Sequence, residues 1–312
     1  MDTMPTVDVI IPTYKPGREL KELLRRLEAQ TLKPGHILIM NTDEKYWKSE
    51  LIEDSPTAEV FHVTKDQFDH AGTRDMGAGF SVADIIVFMT QDALPADEEL
   101  LECLVRGFQS LDIVAVYARQ LPKDDCKVVE KFTREFNYPP KSHVYSKADI
   151  AEHGVKAFFC SNVCAAYNHT YYEQVGGFKA PSIFNEDMIF GGKAIKDGKM
   201  IAYAADACVY HSHNYNCLEQ FHRYFDNGVS QADHPEVFKG VPSSGEGMKL
   251  VRATKDYLKK KGMKRKIPGL IVQSGFKFLG FRLGKMYKHL PRFLVKACSL
   301  NKTYWDIKVT VD

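Results

Sequence analysis

Val7-Asp8-Val9-Ile10-Ile11, broken by Pro16-Gly17 and followed by Leu20, Leu23, Leu24 and Leu27, is the stretch that decides the fold. A short apolar run rich in β-branched residues reads as a buried strand. Leucines three and four apart read as one face of a helix. The alternation then recurs, with strands at residues 36–40, 59–63, 85–89 and 112–118. Helical patterns lie between them, one glycine-marked over 73–82 and one after Pro95 with Leu100, Leu101, Leu104, Val105 and Phe108 on one face. This rhythm predicts an α/β fold, a mostly parallel sheet covered by helices. Ligands in such sheets bind beyond the carboxyl ends of the strands. Thr13, Asn41, Asp92 and His211 all fall at such ends.

The 312 residues suffice for one large or two small domains, and 44% hydrophobic with 26% charged residues excludes disordered and collagen-like classes. No apolar run approaches the ~20 residues that span a bilayer. Residues 1–12 carry neither the basic segment nor the apolar length of a signal peptide, so the expected compartment is the cytoplasm. Seven cysteines without CxxC spacing argue against a disulfide framework or a zinc ribbon. Cys160 and Cys164, four apart as on a helix face, read as buried thiols. Between Lys255 and Lys302 stand 14 Lys and Arg against one acid, Asp256, so this stretch carries +13 and the rest −11. A basic tail on an acidic body suggests an anionic surface as partner. Phe276-Lys277-Phe278-Leu279-Gly280-Phe281-Arg282-Leu283 interleaves aromatics with cations, which suits a membrane interface as well as a solvated helix packed on the domain. Nucleic acid is not expected, because no binding motif accompanies the charge.

Thr90-Gln91-Asp92 closes the strand at 85–89. Asn185-Glu186-Asp187 precedes a glycine-bearing helix, and the strand Ala207-Cys208-Val209-Tyr210 runs into His211-Ser212-His213. Asp92 reads as a ligand for a hard divalent cation or as a loop acid. Glu186 and Asp187 read as a base with an orienting neighbour, or as acids favoured in a first helical turn. The two histidines alternate along a strand end and so point one way, as metal ligands or as a hydrogen-bonded surface pair. In Phe68-Asp69-His70-Ala71-Gly72-Thr73-Arg74-Asp75, Arg74 is placed to hold a phosphate or a base. Gly77-Ala78-Gly79 lacks the rest of a dinucleotide fingerprint, and no Walker A sequence occurs. Residues 123–156 read as an insertion over the sheet on the acceptor side. Residues 233–247 read as a loop before a basic helical C-terminus.

Together these residues resemble family 2 glycosyltransferases of the GT-A fold, and among them bacterial rhamnosyltransferases of polysaccharide assembly. The resemblance runs from about Val7 to Pro291. It rests on Ile10-Ile11-Pro12-Thr13-Tyr14, Phe68 to Arg74, Thr90 to Ala93, Asn185-Glu186-Asp187, His211 to Tyr215, and Phe221 to Gly228. It implies inverting transfer of L-rhamnose from dTDP-β-L-rhamnose to a lipid-linked glycan, with a divalent metal, Mn²⁺ or Mg²⁺, as cofactor. Carried over by position, Asp187 is the base beside Glu186, and Asp92 with His211 holds the metal. Pro12, Thr13, Tyr14, Asn41, Arg74, Thr90 and Gln91 line the nucleotide sugar, and His213 and Arg223 face the acceptor.

Two positions depart from the family pattern. Thr90 replaces the first Asp of D-x-D, which thins the metal shell. Asn41 stands where an Asp-rich turn is usual and is left to pair with a pyrimidine edge. The implied organisation is a catalytic domain over 1–230, with a nucleotide-sugar half to about 120 and an acceptor half beyond it. A basic helical region over 231–312 then associates with the inner face of the membrane. The alternatives are a family 2 transferase using a UDP-hexose, or a non-catalytic sugar-nucleotide or glycan binder on the same fold.

Overall fold

Val7–Tyr14 forms strand β1, and α1 (Arg18–Glu28) follows it. Val9, Ile10 and Ile11, like the four leucines of α1, are almost wholly buried. Each such side chain removed from water contributes about 1.5–3 kcal/mol. The structure is a computed structural model and describes residues 4–242 and 245–306. β2 (Ile37–Thr42), β3 (Ala58–Val63), α2 (His70–Ala78) and β4 (Ile85–Met89) complete the first half. β1 pairs in parallel with both β2 and β4, and β2 with β3. α2 begins three residues before the glycine pattern predicts. The Asp69 carboxylate caps it, accepting from the Ala71 and Gly72 amides at 3.0 and 2.7 Å.

Next come β5 (Leu94–Pro95), α3 (Leu100–Arg106) and β6 (Ile113–Leu121). Residues 123–156 hold α4 (Val128–Asn137), β7 (His143–Tyr145) and α5 (Ile150–His153), and β7 joins the sheet by pairing antiparallel with β9 (Met200–Tyr210). Between them lie β8 (Cys164–Asn168), α6 (His169–Gln174) and α7 (Glu186–Lys196). The sheet order is β3-β2-β1-β4-β8-β6-β9-β5. β8 runs antiparallel between β4 and β6, whereas β6 and β9 are parallel, so β1, β2, β4, β6 and β9 all point one way.

β8 departs from the sequence reading. Cys164-Ala165-Ala166-Tyr167 has little intrinsic strand preference, and only burial between two strands makes it one. Cys160 and Cys164 therefore share no helix face, but both are free thiols and buried. β9 extends seven residues further back than its readable end, with a register shift against β6 between Ala118 and Arg119.

The expected loop at 233–247 is also corrected. After α8 (Cys217–Asp233) it holds a short helix, α9 (Pro235–Phe238), and the first turn of α10 (Glu246–Lys260). Pro235 breaks the α8 pattern and then serves as the first residue of α9. α11 (Ile267–Lys285) lies along α8, and α12 (Arg292–Cys298) follows it. A core of Phe225, Val229, Ile183, Tyr287, Val295, Tyr304 and Trp305 joins this C-terminal part to the rest.

Candidate active site

The common strand direction brings Asp92, three residues past β4, against His211 and His213 just past β9. One Asp92 oxygen, Oδ2, lies 3.6 Å from His211 Nε2 and 3.2 Å from His213 Nε2, and the two Nε2 atoms are 3.0 Å apart. Three ligand atoms this close, all facing one point, fit a single divalent ion. The Gln120 side-chain oxygen sits 3.0 Å from His211 Nδ1, which fixes the ring so that Nε2 keeps its lone pair for the cluster. Burial pushes His211 down to about 3 and lowers His213 as well, so both imidazoles are neutral near pH 7. Burial works to raise the Asp92 carboxyl, but in acid, where the two histidines take up protons, their charge with that of Lys123 outweighs it and holds the carboxyl below its ordinary value. A carboxylate with two neutral imidazoles is a mixed oxygen and nitrogen donor set that fits a transition-metal ion better than Mg²⁺. The structure thus brings His213, read from the sequence as acceptor-facing, into the cluster.

The acid pair begins α7. Asn185 precedes it in the left-handed conformation, φ 62° and ψ 30°, which turns the chain sharply into the helix. The two carboxyls then diverge. Glu186 is buried and ion-paired, its Oε1 3.1 Å from Arg74 Nη1 and 3.0 Å from the donating Asn162 side-chain amide. Burial works to raise Glu186, but the Arg74 guanidinium, His70 and the Asn162 amide together outweigh it and lower the carboxyl. Asp187 is only half-buried and accepts from the Asn162 and Met188 amides at 2.9 and 2.7 Å. Burial first, and then the Glu186 charge, push its carboxyl up to about 7. Two adjacent acids whose affinities for a proton are driven apart take different roles. Glu186 is the fixed charge and Asp187 the group able to exchange a proton near neutrality.

Hydrogen bonds and the Ser161–Asn162 peptide link join the two clusters. Besides meeting His211, the Gln120 side chain donates from Nε2 to the Ser161 hydroxyl at 3.0 Å, and the neighbouring Asn162 holds both acids. The Tyr167 hydroxyl donates to Asn162 Oδ1 at 2.8 Å and fixes its amide. Gln120 and Asn162 escaped the sequence reading because neither lies in a local motif, and only the β6–β8 neighbourhood reveals them.

The other expected residues fall around these clusters. Thr13 donates to Asn41 Oδ1 at 3.1 Å, and Asn41 Nδ2 reaches His62 at 3.0 Å, at the ends of β1 and β2. Half-buried Pro12 lies on β1 opposite Met40, and the exposed Tyr14 ring packs edge-on to Tyr46. Gln91 is a clip: it accepts from the Tyr14 amide at 2.9 Å and donates to the Tyr14 carbonyl at 3.2 Å. Thr90 receives no carboxylate role here, and its amide is bonded to the Val163 carbonyl. Arg74 is drawn inward to Glu186 rather than left open, although its Nε has no partner. Arg223, on α8, stacks over Tyr215 and Phe184 at 4.7 and 5.2 Å, and Tyr215 in turn stacks on His213. Its charge is felt by both His213 and His70, which places it between the metal-type cluster and the acid pair.

A sheet whose carboxyl edge carries an acid–imidazole cluster and a polarised acid pair is the equipment of a nucleotide-sugar transferase of the GT-A class. Residues 8–176 match the model of glycosyl transferase family 2, and the chain belongs to that family. It is 37% identical over 302 residues to the O-antigen chain rhamnosyltransferase RfbN of Salmonella typhimurium, 96% of each chain being covered. It is 34% identical over 309 residues to the O-antigen chain rhamnosyltransferase WbaN of Salmonella anatum, covering 97% of this chain and 96% of that one. In fold it is similar to the mannosyltransferase PcManGT from Pyrobaculum calidifontis in complex with GDP-Man and Mn²⁺. There the TM-score is 0.56 at 13% identity, over 99% of this chain and 87% of that one. It is also similar to S. aureus TarS 1-349 in complex with UDP-GlcNAc, with a TM-score of 0.52 at 13% identity over 91% of each. The chain is a glycosyltransferase.

Proposed function

We infer that the protein transfers L-rhamnose, with inversion, from dTDP-β-L-rhamnose to a hydroxyl of a lipid-linked polysaccharide acceptor at the inner face of the membrane. The observation that carries the chemistry is Asp187, a half-buried carboxyl at a helix start whose proton affinity is raised into the neutral range. Such a group takes the proton from the attacking hydroxyl as the bond to the anomeric carbon forms and the nucleoside diphosphate leaves from the opposite face. Glu186 stays ionised against Arg74 and keeps the Asp187 proton affinity high. Asp92, His211 and His213 would hold a divalent cation, which would supply positive charge to the departing diphosphate. Arg223, steadied by Tyr215 and Phe184, contributes a second positive group to the same anion. The rhamnose assignment is supported by the two relatives, which are similar over nearly their whole length. The base is assigned to the strand edge where Thr13 and Asn41 pair.

The test is a thermal-shift panel of dTDP-rhamnose, dTDP-glucose, UDP-glucose, UDP-galactose and GDP-mannose, each with Mn²⁺ and with EDTA. NMR of the transfer product then gives its anomeric configuration. Stabilisation by dTDP-rhamnose alone, with an inverted product, is expected. Preference for a UDP-hexose overturns the donor, and a retained configuration overturns the mechanism.

A further inference from the structure

The face of α11 turned away from the body has no occupant among the described residues. Ile271, Val272, Phe278 and Leu279 fall on one side of this helix at i, i+1, i+7 and i+8, and Met286, its C-cap, follows. All are exposed, Phe278 to 68% and Leu279 to 52%. Phe293, at the start of α12, is 71% exposed. Isolated exposed apolar residues are ordinary, but a stripe of them along about four helical turns is not. Cations bracket it: Lys264, Arg265 and Lys266 are exposed at its start, Lys288 and Arg292 at its end, and Arg282 within it.

The stripe is also rigidly mounted. On the opposite side of α11, added Cβ atoms at Gly280 and Gly284 would run into the Phe221 and Phe225 carbonyls of α8, and one at Gly228 into that of Phe281. This close seam ties α11 to the helix that carries Arg223 and begins just after His213. Among the described residues no helix is long and apolar enough to cross a membrane. The apolar face is thus suited to lie in an interface, not to span it.

We propose that this face of α11, with the start of α12, docks in the plane of a bilayer carrying anionic lipid. Phe278, Leu279 and Phe293 enter the acyl boundary while the flanking cations meet the headgroups. Opposite charge on the headgroups selects this occupant over a second copy of the chain, whose matching face would set cation against cation. The α8–α11 seam then holds the cleft at a fixed angle to the lipid surface. The docking stands on the surface alone; only its purpose, presenting the cleft to a lipid-linked acceptor, rests on the function inferred above.

The experiment is flotation of the full chain with vesicles of phosphatidylglycerol and phosphatidylethanolamine, and with phosphatidylcholine vesicles, at low and high salt. The wild type should float with the anionic vesicles only, and less at high salt. The double variant Phe278→Glu/Leu279→Glu should partition roughly tenfold or more less, and Lys264→Glu/Lys266→Glu should lose the salt dependence. Both variants should keep the wild-type melting temperature and donor hydrolysis. Flotation that is absent in the wild type, or unchanged in both variants, overturns the proposal. So does a wild-type dimer in sedimentation that the Phe278/Leu279 variant splits, since a second copy then covers the face. A wild type that hydrolyses a sugar nucleotide but does not float is failure of the docking alone. Flotation without hydrolysis of any sugar nucleotide is failure of the transferase reading alone.

Discussion

Asp187 holds its proton far more tightly than an ordinary aspartate, because burial and the neighbouring Glu186 charge both oppose its ionisation. As a base it must be ionised, so kcat/KM should fall about tenfold per pH unit below about pH 7. The acid limb of the pH–rate profile checks this, and a limb near pH 4 would remove Asp187 from the role. Asp187→Asn should lower transfer by about 10²–10⁴-fold with donor affinity unchanged in calorimetry. Its stability should move the other way. A carboxyl whose folded value is raised favours folding while protonated, and that contribution is lost as pH rises through the folded value. The Asn variant does not titrate, so its melting temperature should exceed the wild type's above about pH 7, with the gap shrinking towards acid. Arg74 and Glu186 are both nearly inaccessible to water, at 6% and 8% exposed. Arg74→Gln strands a buried carboxylate and should cost about 3–5 kcal/mol in urea unfolding. A loss below about 1 kcal/mol would mean that water reaches the pair. The sequence shows these residues as acids and a cation near strand ends. It does not show that Arg74 answers Glu186, because 112 residues separate partners that only the α2–α7 approach joins.

Elements were legible where their pattern was strong. β1 and α1 follow from one apolar run and four leucines, since a fully buried strand and a one-faced helix leave different periods. β8 was illegible because alanine and cysteine carry no period and the strand exists by being enclosed. α2 was misplaced at its start because the glycines drew attention from the Asp69 cap. The α8–α11 seam depends on glycine for close approach, and this gives a paired prediction. Gly284→Ala places a methyl against the Phe225 carbonyl and should destabilise the protein by about 1–3 kcal/mol. Gly275→Ala, on the same helix with open space around it, should stabilise by about 0.5–1 kcal/mol. Thermal unfolding of the two variants decides it, and equal effects would remove the seam.

At the scale of the whole molecule, the proposed function couples donor binding to metal binding. A donor held at about 100 times its dissociation constant should raise stability by about 2.7 kcal/mol. EDTA, or Asp92→Ala with Mn²⁺ present, should remove most of that rise in a melting scan. A shift indifferent to both would take Asp92 out of the metal site. Removing residues 231–312 uncovers Phe225, Val229 and Ile183, which pack with Tyr287 and Val295. The remainder should melt lower and bind a hydrophobic dye, and an unchanged melting temperature would show that the catalytic part stands without its basic region. The sequence by itself determined the α/β class, the direction of the leading strands, the family resemblance and the residue types of the site, because periodicity and short motifs are local properties. Tertiary structure alone decided that His213 joins Asp92 and His211, that Glu186 is held ionised against Arg74 while Asp187 is left to titrate, and that Gln120 and Asn162 link the two clusters. Those outcomes depend on burial and on distances of about 3 Å between residues far apart in the chain, and neither is written in any local stretch.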